Sequence, residues 1–104
     1  MELSDKAKKI EECMKCLDNI IEICERNSFL QVALPGTIIK EYNSIMKNSI
    51  ESAKSQSATL ELAKEADVAY KNLVEGKIVK PSDLNNIKKV IESVQNFYNN
   101  NYTI

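Results

Sequence analysis

"SDKAKKIEECMKCLDNIIEICER", residues 4–26, is the stretch whose reading decides the fold. Apolar residues recur at Leu3, Ala7, Ile10, Met14, Leu17, Ile21 and Cys24, an unbroken 3–4 spacing that gathers them on one side of an α-helix. Cys13, Ile20 and Ile23 widen that side into an arc broad enough to meet two neighbours. Lys8, Glu11, Glu12, Lys15, Asp18, Asn19 and Glu22 occupy the other side. Ser4 is placed to cap the helix, with Asp5 in its first turn complementing the helix dipole.

The same stretch holds all three cysteines, two of them as a C-x-x-C pair. Helical geometry weighs against a metal. Cys13 and Cys24 share a face but lie about 16 Å apart along the axis, at about 1.5 Å per residue. Cys13 and Cys16 alone leave a zinc short of ligands, and the chain contains no His. A redox pair is equally poorly placed: reactive C-x-x-C pairs sit at helix N-termini, whereas this one lies inside a helix beside Glu11 and Glu12. The reading is structural, with Cys13 a flank residue, Cys24 in the core and Cys16 more exposed. An odd number of thiols fits a reducing compartment.

Outward from that helix, 104 residues make one domain, 43% apolar and 28% charged. Only two Gly and two Pro leave few places to turn, which argues for helices over a β-fold. Four helices are expected, at about 4–26, 37–54, 57–75 and 82–99, in an all-α up-and-down bundle. Between Thr37 and Glu75 no Gly or Pro interrupts the chain, yet "ESAKSQSA" is rich in Ser, which prefers caps and turns. A break near 55–57 is therefore preferred to a single middle helix of about 58 Å. Asp67 interrupts the apolar face of the third helix; rotating that helix turns Ala66, Ala69 and Leu73 inward and Asp67 to water. Gly76 ends this helix, Ser82 caps the next with Asp83 in its first turn, and Leu84, Ile87, Val90, Ile91, Val94, Phe97 and Tyr98 form the last stripe. Residues 99–104 read as a frayed tail.

Charge narrows the function. The net charge is −1, from 14 basic and 15 acidic residues, so no long-range field gathers nucleic acid or anionic lipid. Residues 1–26 carry five basic against seven acidic groups, 37–75 five against six, and 76–104 four against two. Arg26 is the only Arg, which disfavours bidentate reading of phosphate or guanine. Without His, the usual Ser-His and Cys-His nucleophile arrangements are ruled out within the chain, and the isolated Gly36 and Gly76 form no phosphate loop. No enzyme activity, cofactor, metal or small-molecule substrate is expected. No stretch reaches the roughly 20 apolar residues of a membrane span, and the charged N-terminus does not resemble a secretory signal. A cytoplasmic protein is expected.

Two surfaces remain. "NSFLQVALPG", residues 27–36, is uncharged; its Phe29, Leu30, Val32 and Leu34 either plug one end of the bundle or form a patch for a partner protein. The second surface is the helical pair over 59–98, which imitates a helix-turn-helix with Asn85, Asn86, Lys88 and Lys89 as its reading face. The connector 75–82 is long for that motif, and the bland reading of those lysines is a solvated face. The expectation is a non-enzymatic protein-interaction module, a small adaptor or inhibitor that self-associates as a homodimer or binds another protein. DNA binding is the alternative.

Overall fold

The structure, a computed structural model, describes residues 2–27 and 36–102. It is an all-α four-helix bundle: α1 (Glu2–Arg26), α2 (Gly36–Lys54), α3 (Leu60–Val74) and α4 (Pro81–Tyr102). Phe29, Leu30, Val32 and Leu34 lie outside the described residues, as do the side chains of Phe97 and Tyr98.

The middle of the chain breaks, and hydroxyl groups supply the reason. An α-helix leaves its last carbonyls without intrahelical partners. At the end of α2 the Ser55 hydroxyl donates to the Ser52 carbonyl at 2.6 Å, and the Thr59 hydroxyl donates to the Ala53 carbonyl at 2.7 Å. Backbone N–H groups of Ser55 and Gln56 close onto Ser52 and Ala53 at 3.2 and 3.3 Å. Thr59 sits at the N-cap position of α3 but makes no side-chain cap there. Its hydroxyl finishes α2 instead, and α3 starts at Leu60 rather than 57.

Gly76 stops α3 at φ +77°, in left-handed backbone. Its N–H donates to the Leu73 carbonyl at 3.0 Å and that of Lys77 to the Asn72 carbonyl at 2.9 Å, the paired bonds of a Schellman cap. The chain then runs extended: Ile78 stands in solvent while Val79 enters the core. Other helix boundaries also differ from expectation. Helix α1 is already helical at Glu2, before Ser4. Helix α4 opens on Pro81, whose fixed φ suits a first helical position and whose missing N–H is lost there at no cost. Lys80, not Ser82, takes the cap position, and its N–H donates to Asp83 Oδ2 at 3.1 Å. At the other end α4 continues through Tyr102, past the expected end at 99.

Packing explains the arrangement. Helix α3 presents Ala63, Ala66, Ala69 and Leu73 to the interior, and three small residues let neighbouring backbones come close. Helix α4 answers with Leu84, Ile87, Val90 and Ile91, and α2 with Met46, Ile50 and Ala53. These three helices form a triangle in which each packs along the other two. Helix α1 buries Cys13 and Leu17 against the same core but lies mainly on α4, meeting α2 only slightly.

Candidate interaction surfaces

Because α1 leans on α4, its edge toward α2 stays partly open. At 100° per residue, Ile38, Tyr42 and Ile45 fall within about 60° of arc on α2, and all three are half-buried. On α1, Glu12, Cys16, Ile20 and Ile23 fall within about 80° of arc, and of these Cys16 and Glu12 lie near enough to act on Tyr42. Ile23, expected to flank the buried arc, is 55% exposed. Tyr42 marks the meeting point. Its phenol is pushed above the ordinary tyrosine range by burial first, then by Glu41, Cys16, Glu12 and Cys13 around it.

The cysteines follow the expected order of burial, except that Cys13 lies fully inside the core rather than on its flank. Burial, with Cys16 beside it, pushes the Cys13 thiol up to about 12. Cys16 is half-buried, and its thiol is raised by burial and then by Glu41. Thiols held protonated are poor nucleophiles and poor metal ligands. Cys24 is buried and free. Among the described residues no group of three or more His, Cys, Asp or Glu side chains is placed to hold a metal ion. No described helix is long and apolar enough to cross a membrane.

A second feature lies between α2 and α3, where Lys47, Glu51, Lys54, Asp67, Tyr70 and Lys71 line a shallow groove. Asp67 does not face open water. Its side chain is 19% exposed and accepts from Lys54 Nζ at 2.9 Å and Lys71 Nζ at 3.1 Å. The hydrogen bond from Lys54 holds its carboxyl below the usual range, against the opposing effect of burial. The rotation expected for α3 is present, with Ala66, Ala69 and Leu73 inside. What it gives Asp67 is a seat at the helix boundary, where two lysine stems reach it. Nearby, the Tyr70 hydroxyl donates to Asn43 Oδ1 and joins the same two helices. The groove is thus internally neutralised at its one half-buried carboxylate, which leaves it a fastening more than a receptor.

Of the residues singled out for nucleic acid, Asn85 and Asn86 are half-buried and Lys89 is exposed. Lys88 is not a solvated face residue: its side chain is 22% exposed, with Nζ 2.6 Å from Asp18 and 3.5 Å from Glu92. It fastens α1 to α4. No family model, curated protein or solved structure matches the chain.

The exposed side of the α1–α2 edge was missed by sequence reasoning. Its signal is present in the periodicity, since Cys16, Ile20 and Ile23 repeat at i, i+4 and i+7 beside the main stripe. Such a second stripe reads as extra core until the neighbour that fails to cover it is known.

Proposed function

We propose that this chain is a non-enzymatic protein-interaction module, a small helical adaptor or inhibitor, and that its docking face is the α1–α2 edge. One observation supports the reading above the others. Ile20, Ile23, Ile38, Tyr42 and Ile45 keep part of their surface in water on the two helices that pack least on one another. Burying an apolar side chain is worth about 25 cal/mol per Å², so apolar side chains of this kind gain by accepting a further surface.

Site-specific photocrosslinking tests this. A benzoylphenylalanine at Ile23 should yield a discrete adduct in the protein's own cells, whereas the same group at exposed Lys64 on α3 should not. An adduct at twice the 11.8 kDa mass identifies self-association, and any other discrete mass a separate partner. Diffuse or equal labelling at the two positions refutes the reading. Nucleic-acid binding draws less support, since Lys88 of its reading face is engaged by two carboxylates.

A further inference from the structure

Helix α1 stands outside the triangle that α2, α3 and α4 close among themselves. Among the described residues the core cluster takes only Cys13 and Leu17 from α1, and the rest from α2, α3, α4 and Val79. Ile10, Met14, Ile20 and Ile21 rest on the outside of that cluster, partly buried, and Cys24 is buried apart from it. Polar fastenings divide the same way. Helices α2 and α3 are joined by Lys54 to Asp67 at 2.9 Å and by the Tyr70 hydroxyl to Asn43. Among the described residues α1 has one polar side-chain link to another helix, Asp18 to Lys88 at 2.6 Å.

Breaking that link strands no charge. Lys88 keeps Glu92, one turn along its own helix at 3.5 Å, and the Asp18 side chain is already half in water. What would remain folded, residues 36–102, is as long as the domains of about 55–65 residues that fold alone. Proteins open in contiguous cooperative units, and those that bury least apolar surface open most readily. We infer that α1 detaches as a unit while α2, α3 and α4 stay folded. Its departure uncovers the stretch of α4 around Lys88, where Leu84 and Ile91 lie about one turn to either side. Such an opening is a conformational device of the fold, independent of what docks at the α1–α2 edge.

All three cysteines lie on α1, so thiol labelling reads α1 while amide hydrogen exchange reads the other helices. The full chain is alkylated with iodoacetamide under native conditions, slowly enough that reclosing outpaces reaction. Tandem mass spectrometry locates each labelled thiol, and the rate for the urea-unfolded chain divided by the native rate gives its protection. Once Cys16 has reacted, Cys13 and Cys24 should follow slowly and together, with protection equal within about threefold and at least about tenfold below that of the slowest amides of α3 and α4. Ile50→Val, buried on α2 beside the α3 groove, should speed those slowest amides about two- to twelvefold. It should leave Cys13 unchanged, because the closed and the α1-detached states lose the same contact. Protection of Cys13 that equals that of the slowest amides, or that falls with Ile50→Val by the same factor, means that the bundle opens only as a whole and overturns the inference. Labelling of Cys24 more than about tenfold faster than Cys13 means fraying from one end of α1, and overturns it equally.

Discussion

Replacing Gly76 by Ala isolates one energetic quantity, because the position is strained by backbone alone. A Cβ built at Gly76 meets nothing within 4 Å, so no clash contributes. The cost is that of holding φ at +77°, about 1–2 kcal/mol for a residue with a side chain. Alanine also narrows the unfolded ensemble, which returns about 0.4–1 kcal/mol. The net loss should be roughly 1 kcal/mol, a fall of about 4–8 °C in Tm for a domain near this size. Urea unfolding followed by circular dichroism gives the measurement, with an unchanged slope and a lower midpoint. Gly36→Ala supplies the opposing control. It also has open space around its Cβ but no left-handed φ, and it begins α2; it should be neutral or stabilise by up to about 1 kcal/mol. Gly76→Asn should fall between wild type and Gly76→Ala, since Asn tolerates this region better. Equal midpoints for Gly76→Ala and wild type, or equal losses at both glycines, would refute the cap.

Asp67→Asn should cost up to about 1 kcal/mol, because Lys54 and Lys71 keep much of their surface in water and are screened. The Asp67 carboxyl is depressed in the fold, so its contribution is present above the unfolded value near 3.9 and is lost as pH falls through the lower folded value; the asparagine variant should lose less stability than wild type below about pH 4. Alkylation under native conditions should modify Cys16 first and spare buried Cys13 and Cys24, with all three reacting once the chain is unfolded; mass spectrometry that finds Cys13 modified as fast as Cys16 would contradict the packing of α1. Ile87→Ala, in the first half of α4 and fully buried, should cost about 2–5 kcal/mol by cavity formation, whereas Val68→Ala on the exposed face of α3 should stay within about 0.5 kcal/mol.

These expectations divide along the line between local and distant information. The first helix is legible because its pattern is purely local: Leu17 and Cys24 recur on one stripe and are buried together. The break between α2 and α3 is legible for the same reason, since Ser55 and Thr59 reach carbonyls only three and six residues away. The Lys54–Asp67 contact spans thirteen residues and depends on how two helices align, which no periodicity specifies. Val79 was hidden differently. It occupies a connector where neither a 3.6 nor a sustained 2.0 repeat exists, so one buried residue in an extended segment leaves no pattern to detect. The α1–α2 edge itself was half legible. Ile20 and Ile23 were assigned to an apolar face, but exposure is a property of the neighbour, and they carry nothing in their spacing that separates a covered flank from an open one.

What leaves that flank open can be traced to α3. A square bundle needs comparable spacing between all adjacent helices, with side chains of similar bulk filling the centre. Here α3 contributes Ala63, Ala66 and Ala69, each at most 2% exposed, so its axis can approach both α2 and α4. Once α2 reaches α4 directly, the diagonal of the square is closed and the centre is full. A fourth helix then has only the outer groove of α4 to occupy, and α1 takes it with Cys13 and Leu17, fastened by Asp18 to Lys88. Its arc, broad enough for two neighbours, meets one fully and the other by an edge. The isoleucines left at that edge thus follow from the alanines two helices away.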